Sequence, residues 1–446
     1  MSTRTTALTA ATAALAAIAL GLTGAPSTAS TNPACGTVAS PDTRVEHTRL
    51  ADPTVTDILA RSGFDDVAGA VRTAVCDAGS SRAATAAARL AGQDLWQRAV
   101  DRVQGRGDAG GDLPRSETTG ARSSGELARP LAPSEGVTVR SADDRPLYWA
   151  RLAGELEIAR VAPAYRTWSE DARAKVLAAF DRSSRGIEST AFARDESGRS
   201  RQVLASGFDP FTLDRNIRQS NPSGATALAM DGRVVQTAKG PVEIQTVVFP
   251  VLWEPFAQGI VERAFLTHLI PGKRDVDTAI TISQGRAGRF DLEVWNGAHR
   301  GTFPDNDRVS VNETIPIPED LPHADPQPQW TRTTLPVEAM KAAVPGTFPV
   351  NINRVVTEIP AGSTAPVTRE DPTPGSTAVA GGGGDYLSNE SAYRTTALRD
   401  ALRADTKQGH IHVPVLDGDA SGEPLADMRA DIVAQAVDLV AAAATS

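Results

Sequence analysis

Residues 243–285 read EIQTVVFPVLWEPFAQGIVERAFLTHLIPGKRDVDTAITISQG, and this stretch decides the fold class. It starts with a run of β-branched and aromatic residues, continues with apolar residues at helical spacing over 255–270, and ends with a second β-rich run over 275–285. A strand, a helix and a strand in this order are typical of parallel strands joined by a covering helix. We therefore predict an α/β fold, whose functional side chains gather at the carboxyl ends of the strands.

Further strands and helices flank this unit. RQVLASGFDPF (201–211) and GHIHVPVL (409–416) are predicted strands, and PLADMRADIVAQAVDLVAAAA (424–444) is a predicted amphipathic helix that closes the chain. Residues 344–377 combine strand-like alternation with a later Pro- and Thr-rich segment that we predict as a loop. The α/β domain therefore extends over residues 201–446.

The N-terminal part, residues 31–200, has a different character. Its apolar residues recur at intervals of three and four, which predicts an α-helical region. The segments with this periodicity are 55–104, predicted as a helical hairpin, 146–162, and 169–184, for which Ser169 is the predicted N-cap. Residues near 105–136 are rich in Gly, Ser and Pro without apolar periodicity, so we predict a disordered loop there.

Length and charge narrow the function classes. A chain of 446 residues is long enough for two to three domains. Its 45 Lys and Arg against 54 Asp and Glu give a formal net charge of -9, without a dense basic patch. Because phosphate binding requires a clustered basic surface, we expect no nucleic-acid partner.

The first 30 residues have the pattern of a secretory signal peptide. An apolar stretch from about Ala7 to Leu22 is followed by small residues suited to cleavage. No later segment has the roughly 18 to 20 apolar residues that a membrane span needs. We therefore expect a secreted protein, in which Cys35 and Cys76, the two cysteines, form one disulfide. Neither cysteine has ligand partners at a characteristic spacing, so we assign no metal site and no cofactor.

A run of four glycines stands in GGGGDYLSNESAY, residues 381–393. By itself the run has two interpretations: a flexible linker, or a tight turn that presents Ser388 at the start of a helix. Its place in a series of other motifs favours the turn.

Seven motifs in order resemble those of one family, the pyroglutamyl peptidases of the pyrrolidone carboxylate peptidase type. The resemblance covers residues 201–440, about half of the chain. The motifs are SGFDPF (206–211) with NPS (221–223), VVFPVLWE (247–254), ISQGRAGR (282–289), LEVWN (292–296) with FPDN (303–306), TTLPVEAM (333–340), GGGGDYLSNESAY (381–393) and GHIHVPVL (409–416).

The resemblance implies a three-layer α/β/α sandwich with a mostly parallel sheet, and removal of N-terminal pyroglutamate from peptides. In the family a Cys attacks the pyroglutamyl carbonyl, a His acts as base and then acid, and a Glu completes the triad. His412 matches the family's histidine, and Glu293 is the best match for the glutamate. Phe208 and Phe211 match the aromatic loop that encloses the lactam ring, and Gln284 matches its hydrogen-bonding glutamine.

Two further residues complete the substrate-binding set that the resemblance implies. They are Asn221, in the motif NPS, and Arg300, which precedes the turn FPDN. From the residues alone, Phe208 and Phe211 have a second interpretation, because aromatic side chains beside Gly207 and Pro210 also cap hydrophobic cores. No oligomeric state follows from the sequence.

The sequence departs from the family at the nucleophile, where Ser388 stands before Asn389 in place of a Cys. A serine hydroxyl is far more basic than a thiol and must lose its proton to a base during attack. A Ser388, His412 and Glu293 triad is chemically sound. Three functions stay open: a serine peptidase, a non-catalytic binder of pyroglutamyl peptides, and a hydrolase of another amide or ester. Ser388 as a helix N-cap and His412 as a structural buried histidine also stay open.

Overall fold

The computed structural model describes residues 35–37, 41, 43–106, 142–162, 168–192, 200–272, 275–416, 418 and 422–446. These residues, from Cys35 to Ser446, belong to one compact unit. The predicted signal peptide lies outside the described residues, and so does the predicted loop near 105–136 apart from its first two positions.

The N-terminal part is helical, as its periodicity predicts. Its helices are α1 (Val45–Thr48), α2 (Pro53–Ser62), α3 (Val67–Cys76), α4 (Ser81–Val103), α5 (Arg145–Arg160) and α6 (Glu170–Ser184). The prediction of a two-helix hairpin over 55–104 is wrong in the number of helices, because α2, α3 and α4 fill this stretch. Gly63 ends α2 in the left-handed conformation with φ 71°, and Ser80 caps the start of α4. The predicted cap of α6 is confirmed, since Ser169 Oγ accepts from the Ala172 N–H at 3.2 Å.

Two short strands, β1 (Gly36–Thr37) and β2 (Val161–Ala162), pair antiparallel beside these helices. Next to them a disulfide joins Cys35 to Cys76, at the end of α3. It closes a loop with a sequence separation of 41 residues. The start of the described chain is thereby tied to the helical region.

The second part alternates strands and helices. Its elements are β3 (Arg201–Phe208), α7 (Pro222–Met230), β4 (Arg233–Thr237), β5 (Gly240–Phe249), α8 (Trp253–Ala257), α9 (Ile260–Leu269), β6 (Thr278–Gln284), β7 (Phe290–Glu293), β8 (Trp295–Gly297), β9 (His299–Gly301), β10 (Asn312–Thr314), β11 (Trp330–Arg332), α10 (Val337–Ala343), β12 (Val350–Asn353), β13 (Val355–Ile359), β14 (Val367–Glu370), β15 (Thr377–Ala380), α11 (Leu387–Leu402), β16 (Lys407–Val413) and α12 (Ala426–Thr445).

Seven strands form the central sheet in the order β12-β7-β16-β6-β3-β5-β4. Strands β16, β6, β3 and β5 run parallel, whereas β7 is antiparallel to β16 and β4 is antiparallel to β5. Helices α10 and α12 pack on one face, and α8, α9 and α11 pack on the other. The prediction of a mostly parallel α/β/α sandwich after a helical region is confirmed.

Strand β16 shows how the two faces differ. Ile411 and Val413 are fully buried in the apolar core shared with α12. The alternate residues His410 and His412 point to the α11 face, because successive side chains of a strand alternate between faces. On β16 the apolar side chains therefore face α12, and the two imidazoles face α11.

The helical region packs on the α/β part through α7. Ala225 and Leu228 of α7 share an apolar cluster with Trp96 of α4 and Leu147 of α5. Among the described residues, no helix is long and apolar enough to cross a membrane.

The loop predicted at the end of residues 344–377 is wrong in part. The strand-like part of residues 344–377 forms β12 and β13, whereas the Pro- and Thr-rich part contains β14 and the first residue of β15. Strands β13, β14 and β15 form a separate antiparallel sheet in the order β14-β13-β15. Buried Glu358 accepts hydrogen bonds from the Thr373 N–H and hydroxyl at 2.6 and 2.7 Å, which orders the Pro- and Thr-rich stretch.

Candidate active site

The glycine run forms a tight turn. The Gly381 N–H donates to the Gly384 carbonyl at 2.8 Å, and the Gly384 N–H donates back to the Gly381 carbonyl at 3.0 Å. Gly384 has φ 83°, a conformation that favours glycine. The linker interpretation is therefore wrong.

Close packing explains why this turn needs glycine. A Cβ on Gly381 would lie 2.0 Å from Asn389 Oδ1, and one on Gly382 would lie 2.1 Å from Glu293 Oε2. A Cβ on Gly383 would lie 3.1 Å from His412 Cε1. The turn is thus packed against two of the predicted catalytic side chains.

Helix α11 begins directly after the turn. Its N-cap is Tyr386, whose side chain makes no capping hydrogen bond, and Ser388 is the second residue of the helix. The interpretation of Ser388 as the N-cap is therefore wrong. The Ser388 hydroxyl donates to the Gly383 carbonyl at 2.9 Å. N–H groups in the first turn of a helix lack intrahelical acceptors and carry partial positive charge, so they favour an anionic oxygen nearby.

His412 and Glu293 form a hydrogen-bonded pair. His412 Nδ1 lies 2.7 Å from Glu293 Oε1, and both side chains are buried. Asn353 Nδ2 donates to Glu293 Oε2 at 2.7 Å and to the Gly382 carbonyl at 3.0 Å. Asn353 therefore fixes the carboxylate that orients His412. Among the described residues, no hydrogen bond joins Ser388 to His412.

A small cavity of about 30 Å³ lies at the carboxyl ends of β3 and β6. Gln284 lines it, and the Gln284 Oε1 atom is buried without a hydrogen-bond partner among the described residues. The other lining residues are Phe208, Phe211, Asn221, Val251, Ser283, Tyr386, Leu387 and Ser388. The structure thus brings the predicted nucleophile position and four of the predicted substrate-binding residues to one place.

The two phenylalanines differ from each other. Phe208 ends β3, is 3% exposed and packs 6.0 Å from the rings of Phe249 and Phe256. Phe208 therefore caps the hydrophobic core, as the second interpretation predicts, and it also lines the cavity. Phe211 is only partly buried and lies 6.2 Å, between ring centroids, from Tyr386.

Asn221 and Arg300 have structural partners. Asn221 caps α7 by accepting from the Ser223 N–H at 3.0 Å, and it donates to the Asp209 carbonyl at 2.9 Å. Arg300 does not line the cavity. Its guanidinium forms ion pairs with Glu313 at 2.6 Å and with Glu390 at 3.3 Å.

Sequence reasoning missed several residues of this region, namely Asn353, Tyr386, Ser283 and His410. Tyr386, Ser283 and His410 stand within the quoted motifs, which offered a signal. Asn353 reaches the site only through the pairing of β12 with β7, where it lies opposite Glu293. Among the described residues, no group of three or more His, Cys, Asp or Glu side chains is arranged to hold a metal ion.

Two sequence families match the chain. Residues 202–324 and 344–417 match the family described as PA0049, C-terminal domain, and residues 27–118 and 126–181 match the PA0049 N-terminal domain. The Pseudomonas aeruginosa protein named Uncharacterized protein PA0049 is 32% identical over 458 residues, which cover 83% of this chain and 78% of the relative. The chain belongs to the PA0049 family. In this PA0049-family chain, the match to the N-terminal domain ends at residue 181 and the match to the C-terminal domain begins at residue 202.

Solved structures with a similar fold cover about half of the chain. Pyroglutamyl peptidase I from Bacillus amyloliquefaciens is 20% identical with a TM-score of 0.37, and covers 55% of this chain and 96% of its own. Pyrrolidone carboxyl peptidase from Thermococcus litoralis is 18% identical with a TM-score of 0.36, and covers 55% of this chain and 93% of its own.

Proposed function

We propose that the chain is a secreted hydrolase that removes N-terminal pyroglutamate from peptides. Ser388 is the nucleophile, His412 is the general base and Glu293 orients His412. The observation that carries the proposal is the 2.7 Å pair of His412 and Glu293, packed against the glycine turn that leads into Ser388. The order of the sequence motifs supports the substrate class.

The chemistry follows from hydrogen-bond roles. Glu293 accepts the Nδ1–H of His412, which leaves the Nε2 lone pair free to accept a proton. The Ser388 hydroxyl turns from the Gly383 carbonyl toward His412 and loses its proton as Oγ attacks the pyroglutamyl carbonyl. His412 then gives this proton to the leaving peptide amine. Water, activated by His412, releases pyroglutamate from the acyl-enzyme.

The oxygen of the attacked carbonyl becomes negatively charged in the tetrahedral intermediate. The first turn of α11 supplies N–H groups and the positive end of the helix dipole beside Ser388. Donors placed in advance at such a position commonly contribute about 10² to 10³ in rate. The same helix that presents the nucleophile therefore stabilises the intermediate.

The ring of the substrate occupies the cavity between Phe208 and Phe211. A cavity of about 30 Å³ holds little more than one water molecule, so a lactam ring enters only when a lining side chain moves. Phe211 and Tyr386 are the partly buried aromatic residues of the lining. They pack at the edge of the cluster that contains Phe208, so their displacement is what opens the cavity.

One observation favours a second candidate, a non-catalytic binder of pyroglutamyl peptides. The Ser388 hydroxyl is held by the Gly383 carbonyl instead of His412. Both candidates use the same cavity, and they differ in turnover alone.

Export, which we include in the proposal, is supported by the disulfide of Cys35 and Cys76, because disulfides persist in oxidising compartments.

The deciding experiment is hydrolysis of a pyroglutamyl chromogenic amide by the purified chain. We expect turnover that serine-directed reagents stop and thiol-directed reagents do not. Ser388→Ala is expected to lower kcat by at least about 10³. Ser391→Ala is the matched control, because Ser391 lies one turn further along α11 and its hydroxyl donates to the Ser388 carbonyl at 2.8 Å.

Each alternative has its own outcome. Binding of a pyroglutamyl peptide without turnover would establish the binder and refute the hydrolase. Turnover of other amides or esters, with none of the pyroglutamyl amide, would refute the substrate class. Full activity of Ser388→Ala would refute the role of Ser388.

A further inference from the structure

Three polar side chains form a buried chain of hydrogen bonds beneath the cavity. The Thr281 hydroxyl lies 2.7 Å from His410 Nδ1, and the Ser283 hydroxyl lies 2.8 Å from His410 Nε2. The exposed fractions are 1% for Thr281, 1% for His410 and 4% for Ser283. Of the three, Ser283 alone lines the cavity, next to Gln284. The proposed catalytic steps use none of these residues.

His410 is neutral in this environment. Burial and the neighbouring His412 ring, whose centroid lies 4.6 Å away, hold the pKa of His410 well below its usual range. A neutral imidazole has one N–H donor and one lone pair. One of the two hydroxyls must therefore donate to His410, and the other must accept from it.

The environment of Thr281 decides which hydroxyl donates. Within the described part of the chain, His410 is the one hydrogen-bond partner of the Thr281 hydroxyl. If Thr281 accepted from His410, its own buried O–H would have no acceptor, which is costly. A hydroxyl that donates leaves only a lone pair unused, and this costs less than an orphaned donor. Thr281 therefore donates to Nδ1, and the Nε2–H of His410 donates to Ser283.

This direction leaves the hydroxyl proton of Ser283 without a partner among the described residues. In the described residues, the one hydrogen bond of this hydroxyl is the bond to His410, and Ser283 faces the cavity. Because hydrogen bonds in a chain polarise one another, the contacts of Thr281 and His410 make the Ser283 O–H a stronger hydrogen-bond donor. The cavity thus contains an oriented O–H group that requires an acceptor.

We infer that Ser283 donates a hydrogen bond to an oxygen acceptor on the bound ring and so determines specificity for a ring that carries a carbonyl. The inference rests on the proposed function, since it places the lactam ring in this cavity. Thr281 and His410 are positioning residues that act through Ser283. Ser283 is separate from the Ser388 nucleophile and takes no part in bond formation.

The tautomer of His410 tests the hydrogen-bond direction without any ligand. We expect ¹⁵N spectra of histidine-labelled protein, assigned with His410→Phe, to show the Nε2–H tautomer. Thr281→Val removes the donor to Nδ1 and is expected to weaken this preference. A protonated Nδ1 in the wild-type chain would overturn the inference.

Ligand preference tests the role in specificity. The probes are 2-pyrrolidone and pyrrolidine-2-thione, which share a ring and an N–H but differ in the acceptor atom. In Ser388→Ala protein, we expect tighter binding of 2-pyrrolidone. Adding Ser283→Ala should reduce this preference about three- to tenfold, the effect of one neutral hydrogen bond, and Ser283→Thr should restore it. Ser206→Ala is the matched control, since Ser206 lies opposite Thr281 on β3 and its buried hydroxyl has no partner among the described residues.

The outcomes separate this inference from the proposed function. Turnover of a pyroglutamyl amide with the same KM and lactam preference in Ser283→Ala would overturn the inference and leave the hydrolase intact. Lactam binding that depends on Ser283, without turnover, would support the inference and refute the hydrolase. Binding of neither probe, with turnover of the pyroglutamyl amide, would overturn the inference and leave the hydrolase intact. Absence of both probe binding and turnover would overturn both.

Discussion

Replacing Glu293 by glutamine tests the proposed catalytic pair most directly. Two side chains donate hydrogen bonds to the carboxylate: His412 through Nδ1 at 2.7 Å and Asn353 through Nδ2 at 2.7 Å. Arg286 also lies 4.0 Å from Glu293 Oε1. Glutamine has one acceptor oxygen and one NH₂ group, so it can satisfy one of these donors. If the NH₂ group faces His412, the imidazole must carry its proton on Nε2. In that tautomer His412 cannot accept the proton of Ser388.

The expected loss in kcat is about 10² to 10⁴, the contribution of a positioned base in its correct tautomer. If the glutamine oxygen faces His412 instead, the Asn353 N–H loses its acceptor, and this unsatisfied buried donor lowers the free energy of unfolding by about 1 to 3 kcal/mol. Steady-state hydrolysis of a pyroglutamyl amide gives the first value, and urea denaturation gives the second. The loss of kcat should exceed any change in KM, because Glu293 does not line the cavity.

Asp291→Asn is the matched control. Asp291 lies two residues earlier on β7, is fully buried and accepts from Asn351 Nδ2 at 2.8 Å, just as Glu293 accepts from Asn353. Among the described residues it forms no ion pair with His412; its ionic partners are Arg289 and Arg286, and Arg286 also lies 4.0 Å from Glu293. We expect a comparable loss of stability with kcat near the wild-type value. A Glu293→Gln enzyme with wild-type kcat, or equal losses of kcat in both variants, would refute the reasoning.

Three further predictions follow from packing and charge. Gly382→Ala places a Cβ 2.1 Å from Glu293 Oε2. It should lower the free energy of unfolding, measured by urea denaturation, by about 1 to 3 kcal/mol and remove most of kcat, and unchanged kinetics would contradict this packing. Removing the Cys35–Cys76 disulfide, which spans 41 residues, should lower stability by about 4 kcal/mol in the chain-entropy account, and equal midpoints would contradict this. Burial raises the pKa of Asp231 from 3.8 to about 6, so folding binds a proton between these values. This contribution to stability is complete below pH 3.8, and up to about 3 kcal/mol of it is lost as pH rises to about 6. Asp231→Asn should remove this fall in the free energy of unfolding when denaturation is measured across the pH range.

The strand, helix and strand over residues 243–285 were predictable because the signal is local. Apolar alternation and helical spacing lie within one stretch, and the structure contains β5, α8, α9 and β6 there. The neighbours of these strands were not predictable in the same way. Strand β3 lies between β5 and β6, and β7 runs antiparallel to β16, since both arrangements depend on contacts between distant segments.

The candidate site shows the same division. Ser388 and His412 were identified from motifs, in which the glycines and the neighbouring residues stand together in the sequence. Asn353 was not, because its contact with Glu293 depends on the register of β12 against β7. Arg300 was assigned to substrate binding from its place before a turn, but the distant carboxylates of Glu313 and Glu390 determine where its guanidinium lies.

The alternation along β16 links folding to activity. Because the side-chain period of a strand is two, a slip of one residue would move His410 and His412 into the apolar core beside α12 and turn Ile411 and Val413 toward α11. Such a molecule would bury unpaired imidazoles and would not be stable. Ile411 and Val413, which alternate with the histidines, therefore fix the alignment of the proposed base. A refolded preparation should contain active molecules and unfolded ones, without a stable folded fraction in which β16 is out of register.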